Sequence, residues 1–214
     1  MKLADITVNE FTKILASEAP APGGGSTAAL HGALGASLVR MVALLTGGRE
    51  KYREHEPLMK DIAERAEALR IAFIDVMDRD TKAFDAVSEV FSMPKTTDGE
   101  KAARRDAMQK ALKACTLTPL EMMRLSLEAL ELMEEAAGKT NESAASDFGV
   151  GAISLKAASQ GAWLNVLINL GGIRDQDFAE KHRAEGEALM LKAATLADSL
   201  CQGVLSSLYS QPTM

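Results

Sequence analysis

Aromatic residues make up only 4% of this 214-residue chain, with a single tryptophan, so its interior has to be built from Ala, Leu, Met, Val and Ile. An interior of that kind favours helices that approach one another closely. Cysteine is scarce: Cys115 and Cys201 stand far apart and lack metal-ligand spacing, which points to reduced thiols rather than a disulfide framework. No set of His, Cys and carboxylates has convincing metal spacing, and no metal is expected. There is no basic stripe with interleaved aromatics, and the net charge is −6, which argues against nucleic acid as a partner. No apolar run reads as long enough and clean enough to span a bilayer, so no membrane partner is expected. Met1-Lys2-Leu3-Ala4-Asp5 lacks the apolar core of a signal peptide, and the expectation is a cytoplasmic protein. Alternating strand patterns, short repeats and low-complexity linkers are also missing.

What remains is helix after helix. Hydrophobic residues at 47% and charged residues at 25% suit a globule with a real core, and the length suits one domain over 1–214. Thr7-Val8-Asn9-Glu10 reads as a capping box, opening a helix that ends near Ala19. A second helix is expected from about Ser26 to Leu45, stopping near Gly47-Gly48. A third begins around Pro57, a good first-turn residue, and continues to Phe91. Thr97 with Glu100 opens a fourth that ends near Thr116. Thr118-Pro119-Leu120-Glu121 combines a Thr cap, Pro at the first position and Glu at the third, which starts a fifth closed by Gly138. A sixth covers about Ser143 to Leu170, and a last one runs from near Asp175 to about Ser207. Gln211–Met214 is expected to fray.

The most informative stretch is Pro20-Ala21-Pro22-Gly23-Gly24-Gly25-Ser26. Three glycines leave bare backbone, and Ser26 suits an N-cap for the helix that follows. Bare N–H groups at a helix start suit an anion; a tight turn between helices is the plainer alternative. The loop is not a Walker loop, because no Gly-Lys-Ser/Thr follows. No strand precedes it, so it is not a dinucleotide fingerprint.

Chemistry is expected on two helices. Ile62, Ala66, Leu69, Phe73, Met77, Phe84, Val87 and Phe91 share one helical face, and Asp80 falls in that stripe. A carboxylate on an apolar seam is costly unless paired or protonated, and burial raises its pKa toward useful acid–base values. The plain alternative is a buried Asp that bridges helices. Asp75 and Asp78 lie off the stripe, in solvent. On the sixth expected helix, Asn141 and Ser143 flank the start, followed by Ser146 and Asp147. Asn165 and Asn169 follow Gly161 at four-residue steps, and their amides suit a heterocycle with amide-like edges. Asp147 can equally be a first-turn acid favoured by the helix dipole. The small residues Ala28, Gly32 and Ala36 read as a close packing strip or homodimer seam. His31 reads as a partnered structural residue, His55 and His182 as exposed, and the Met residues as core filler. Lys181-His182-Arg183 reads as a solvated face able to contact an acidic tail.

Taken together, these residues resemble the formiminotetrahydrofolate cyclodeaminase family, which also contains proteins described as methenyltetrahydrofolate cyclohydrolases. The resemblance is carried by Pro20 to Ala29 with Gly32-Ala33-Leu34-Gly35-Ala36, then Met41-Val42-Ala43 with Leu45-Thr46. Asp80 with Ala83-Phe84, Pro94-Lys95, Ser146-Asp147, Gly161-Ala162 and Asn165 to Leu170 complete it. Ser143 stands where a second Asn is expected, and His31 and Arg40 where small or neutral residues are usual. The resemblance implies an all-α bundle of long antiparallel helices that dimerises through helix faces. It further implies a folate groove at or near the interface and a cytoplasmic enzyme of one-carbon metabolism, with no cofactor beyond its tetrahydrofolate substrate. On that reading Asp80 is the acid/base and Asp147 a reserve acid/base or orienting partner. Pro22, Gly23, Gly24, Gly25, Ser26, Ser146, Asn165 and Asn169 bind substrate. The expected reaction is ammonia release from formiminotetrahydrofolate, as in histidine degradation. The alternatives are hydrolysis of the methenyl bridge and a non-catalytic helical scaffold.

Overall fold

Two capping boxes fix where helices begin. Thr7 Oγ1 accepts from the Glu10 N–H at 3.1 Å while Glu10 Oε2 accepts from the Thr7 N–H at 2.9 Å, which opens α1 (Val8–Leu15). Helices α2 (Gly24–Thr46) and α3 (Glu56–Phe91) follow, the latter with Pro57 in its first turn. Thr97 and Glu100 make the second box and open α4 (Asp98–Ala136). α5 (Ala145–Leu170) comes next. Asp175, whose carboxylate accepts from the Phe178 N–H at 3.0 Å, then caps α6 (Gln176–Tyr209). The computed structural model describes residues 2–210, and among them every helix and turn joins into an all-helical fold without strands. The expected fraying of Gln211–Met214 lies outside the described residues, as does Met1.

Several boundaries differ from expectation for identifiable reasons. The expected fourth and fifth helices are one, because α4 runs straight through Thr118-Pro119. A proline inside a helix removes one N–H, here the one that would bond the Cys115 carbonyl. That carbonyl instead accepts Asn169 Nδ2 of α5 at 2.8 Å, so the helix continues without an orphaned group. Ser26 is not an N-cap: α2 starts two residues earlier, with Gly23 as a cap that offers no side chain. α1 stops at Leu15 rather than near Ala19. His182 is buried rather than exposed, its ring packed on Phe178 and its Nδ1 2.7 Å from the Phe178 carbonyl oxygen. His31, read as partnered, is exposed. Asp78, expected in solvent, accepts the Leu3 N–H at 3.0 Å. Two helices, α2 and α6, do prove long and apolar enough by composition to cross a membrane; half of the apolar stretch of α2 is buried inside the fold.

The bundle has two layers. α2 and α5 lie side by side and antiparallel: a Cβ on Gly35 would meet Leu155, and one on Gly161 would meet Ala28. α3 and α4 form a hairpin that covers their inner faces, and α6 flanks α4 and α5. Phe73, Met77, Leu120, Met122, Met123, Leu130, Met133 and Leu155 fill the space between, all fully buried. The core is thus Leu, Met and Ala with little aromatic mass. The α3–α4 hairpin outruns the layer beneath it. α2 begins at Gly24, level with Asp80, so nothing of α2 covers α3 beyond that point. Ile62, Ala66, Leu69, Phe73 and Met77 are therefore buried as expected, whereas Phe84 and Phe91 of the same stripe are 43% and 65% exposed.

Candidate active site

Asp80 sits where that uncovered face starts. Its rotation about α3 is fixed next door: the Arg79 guanidinium pairs in two-pronged fashion with Glu121 of α4, at 2.6 and 2.9 Å, and its Nε donates to Asp75 at 2.6 Å. With Arg79 held toward α4, the carboxylate of Asp80 faces the start of α2. There it lies directly on the backbone of Gly25, where an added Cβ would come within 2.7 Å of the Asp80 Cγ. The glycine is required by this close approach. Among the described residues no donor reaches the Asp80 carboxylate and no cation faces it. Burial alone acts on it, and pushes its pKa from 3.8 up to about 6.

The surrounding cavity, of about 300 Å³, is walled by Pro20, Ala21 and the Gly23–Ser26 start of α2, by Thr81 and Phe84 of α3, and by Cys115 of α4. Asn165, Ile168 and Asn169 of α5 complete it. The first-turn N–H groups of α2 have no partner within the helix, as at any helix start, and are the cavity's donors. Asn169 Nδ2 spends both hydrogens on carbonyls, those of Cys115 and Asn165, each at 2.8 Å. Asn165 Nδ2 donates to the Gly161 carbonyl at 2.8 Å, and its amide lies against Gly24. Both amide oxygens stay without a donor among the described residues, so these asparagines present acceptors to a ligand. Ser26 Oγ is buried and 3.4 Å from Thr81 Oγ1. The Cys115 thiol is raised to about 11, by burial first and by the neighbouring Asp80 carboxylate second, and is therefore a protonated, inert wall. A larger open groove of about 520 Å³ lies beside Gly47 and Met59, where Ala43, Leu44, Met59 and Ala63 alternate with charged residues, of which Arg40 and Glu67 pair at 3.4 Å.

The structure gathers Gly23, Gly24, Gly25, Ser26, Asp80, Asn165 and Asn169 around one cavity. Pro22 is buried behind the loop, after a cis peptide bond, and does not line it. Ser146 and Asp147 lie at the opposite end of α5, eighteen residues or about 27 Å of helix from Asn165. Sequence reading missed Thr81, Cys115 and Ile168 as wall residues. Phe84 was readable, since it stands one turn after Asp80 on the same face.

Comparison with known proteins places these features in a family context. The sequence model described as formiminotransferase-cyclodeaminase matches residues 7–188. A methenyltetrahydrofolate cyclohydrolase of Methylorubrum extorquens is 42% identical over 94% of this chain and 96% of its own length. The mouse formimidoyltransferase-cyclodeaminase is 33% identical over 91% of this chain, which spans only 36% of that longer protein. Among solved structures, a formiminotetrahydrofolate cyclodeaminase of Thermotoga maritima superposes with a TM-score of 0.80 at 29% identity, covering 96% of this chain and 97% of the other.

Proposed function

The chain belongs to the formiminotransferase-cyclodeaminase family, and from that premise we propose that it is a cytoplasmic, homodimeric folate enzyme that builds or opens the one-carbon bridge between N5 and N10. The observation that carries this reading is Asp80: a carboxyl with a pKa of about 6, dry on one side and open to a cavity on the other. Such a group holds a useful fraction of both its forms near neutral pH.

The first reaction proposed is deamination of 5-formiminotetrahydrofolate. The substrate enters with its amidine protonated. The N10 lone pair forms a bond to the formimino carbon, and Asp80 takes the N10 proton. Asp80 then returns that proton to the amino group, the carbon–nitrogen bond to it breaks, and ammonia leaves. The methenyl bridge remains across N5 and N10 as a cation, next to a carboxylate that is again ionised. The α2 N–H donors and the Asn165 and Asn169 oxygens supply both kinds of partner that the pterin edge needs. Holding N10 against the carbon contributes on the order of 7 kcal/mol to lowering the barrier. Acid–base help adds about 3–5 kcal/mol, or 10²–10⁴-fold.

The second reading is hydrolysis of the methenyl bridge, with Asp80 assisting the addition of water to the same carbon. The 42% identity to a methenyltetrahydrofolate cyclohydrolase, over nearly the full length of both chains, favours it. Purified protein is given each substrate separately, and the near-ultraviolet methenyl absorbance is followed. Its appearance from formiminotetrahydrofolate supports deamination, and its faster-than-background loss from methenyltetrahydrofolate supports hydrolysis. Folate binding without either change overturns both in favour of a non-catalytic protein.

A further inference from the structure

Two hydroxyls beside Asp80 have hydrogen-bonding capacity to spare. Thr81 follows Asp80 on α3, Ser26 follows Gly25 on α2, and both line the cavity. Their oxygens stand 3.4 Å apart, and Thr81 Oγ1 is also 3.4 Å from the Met77 carbonyl oxygen one turn back. A well-made hydroxyl bond closes to about 2.7–2.8 Å. Elsewhere in this chain the same backward bond is short: 2.9 Å from Thr27, 2.6 Å from Ser37, 2.7 Å from Thr46 and 2.8 Å from Ser126. Thr118, next to the proline of α4, is the other long case. Ser26 is 1% exposed, and among the described residues its Oγ has Thr81 as its one partner. A buried hydroxyl held by one long contact is under-satisfied, and in the wall of a cavity it marks a place for a further polar partner.

That place is small. Two oxygens 3.4 Å apart can both reach one atom in front of them at ordinary hydrogen-bond length, which suits an amino nitrogen or a water oxygen. Each hydroxyl donates one hydrogen and accepts at two lone pairs, so the pair serves an N–H, a nitrogen lone pair or a water alike. An ionised Asp80 only accepts, and the first-turn N–H groups of α2 only donate. The place also lies beside the acid. The Gly25 backbone rests on the Asp80 carboxylate, and the residue that follows each of them meets the other across the same helix crossing.

We infer that Thr81 and Ser26 seat the small group that leaves or joins the one-carbon unit: the amino nitrogen in deamination, the attacking water in hydrolysis. This rests on the reading of Asp80 given above. In deamination the amino group lies against the two hydroxyls once N10 has bonded to the carbon. Its lone pair takes the proton that Asp80 carries, the carbon–nitrogen bond breaks with its electron pair going to that nitrogen, and ammonia departs from the methenyl cation. In hydrolysis the same seat holds a water. Its oxygen bonds to the methenyl carbon while Asp80 takes one of its protons. Asp80 passes that proton to N5, the carbon–N5 bond breaks with its pair on N5, and the remaining hydroxyl proton leaves to solvent as the formyl carbonyl forms on N10.

Three variants test the seat against whichever of the two substrates the wild-type protein turns over. Thr81→Val keeps the shape and removes the hydroxyl, Thr81→Ser keeps the hydroxyl, and Ser26→Ala removes its neighbour. Thr81→Val is expected to lower kcat by about 10²-fold, as for a reacting group left unpositioned. Its KM, its folate affinity in equilibrium dialysis and the acidic limb of its kcat/KM profile near pH 6 are expected to match wild type. Ser26→Ala is expected to lower kcat less, and Thr81→Ser to keep most of it. Near-wild-type kcat in Thr81→Val overturns the inference and leaves the proposed function standing. So does a raised KM at unchanged kcat, which marks a grip on the folate instead. A wild-type protein that turns over neither substrate overturns the proposed function and this inference with it. Circular dichroism checks folding; if Thr81→Val does not fold, Ser26→Ala reads the same pair from the α2 side, and unchanged kcat there overturns the inference.

Discussion

Replacing Asp80 with Asn should make the protein more stable while destroying its activity, and the gain should depend on pH in a defined way. In the unfolded chain Asp80 ionises at 3.8; in the fold, burial holds it to about 6. The gap corresponds to about 3 kcal/mol of cost for carrying the charge in the folded state. The folded state keeps a proton that the unfolded chain gives up, so wild-type stability is lost as pH rises from 3.8 to about 6, and the loss is complete above that. Asn has nearly the same shape and never ionises. Asp80→Asn is therefore neutral below pH 4 and gains up to about 3 kcal/mol at pH 8, or about 6–12 °C in Tm for a chain of this size. Thermal unfolding followed by circular dichroism, for both proteins at several pH values between 4 and 8, measures the difference directly. A difference that stays flat with pH, or a variant less stable than wild type at pH 8, refutes the claim that this carboxylate is held dry and unpaired.

Other consequences are equally specific. The kcat/KM profile should carry an acidic limb near pH 6, rising with pH as Asp80 ionises, and a limb below pH 5 contradicts the assignment. Gly25→Ala should lower activity by roughly 10²-fold, since its Cβ would press within 2.7 Å of the Asp80 Cγ and displace the carboxylate. Gly24→Ala, with its nearest neighbour at 3.6 Å, should fold and bind nearly as wild type; equal effects of the two alanines would mean that the Gly25 contact is not what matters. Asn169→Ala should cost about 1–3 kcal/mol by stranding the Cys115 carbonyl. Pro119→Ala in that background should recover part of this by restoring the missing helical N–H. A double-mutant cycle from denaturant unfolding reads the coupling, and strict additivity contradicts the pairing.

The helical class was legible because the capping signals are local: Thr7 with Glu10 and Thr97 with Glu100 need only four residues to satisfy each other. Asp80 was legible for a related reason, as a charge on a stripe whose period is fixed by the helix. Pro119 was misread because its neighbourhood meets every local condition for a helix start. The deciding fact, a side-chain donor from Asn169 fifty residues on, is tertiary. Phe84 and Phe91 looked like core for the same reason. Periodicity says which face they share with Met77, but not that α2 begins only opposite Asp80 and leaves the face beyond it open. The distance between Asp147 and Asp80 was equally out of reach, since it depends on α5 running antiparallel to α2.

The most direct measurement is the ionisation of Asp80 itself, read by isotope-edited infrared titration of the carboxyl signal that is present in wild type and missing from Asp80→Asn. A midpoint near 6 is the predicted result. A midpoint near 3.8, as for a carboxyl in water, would contradict the account at its root.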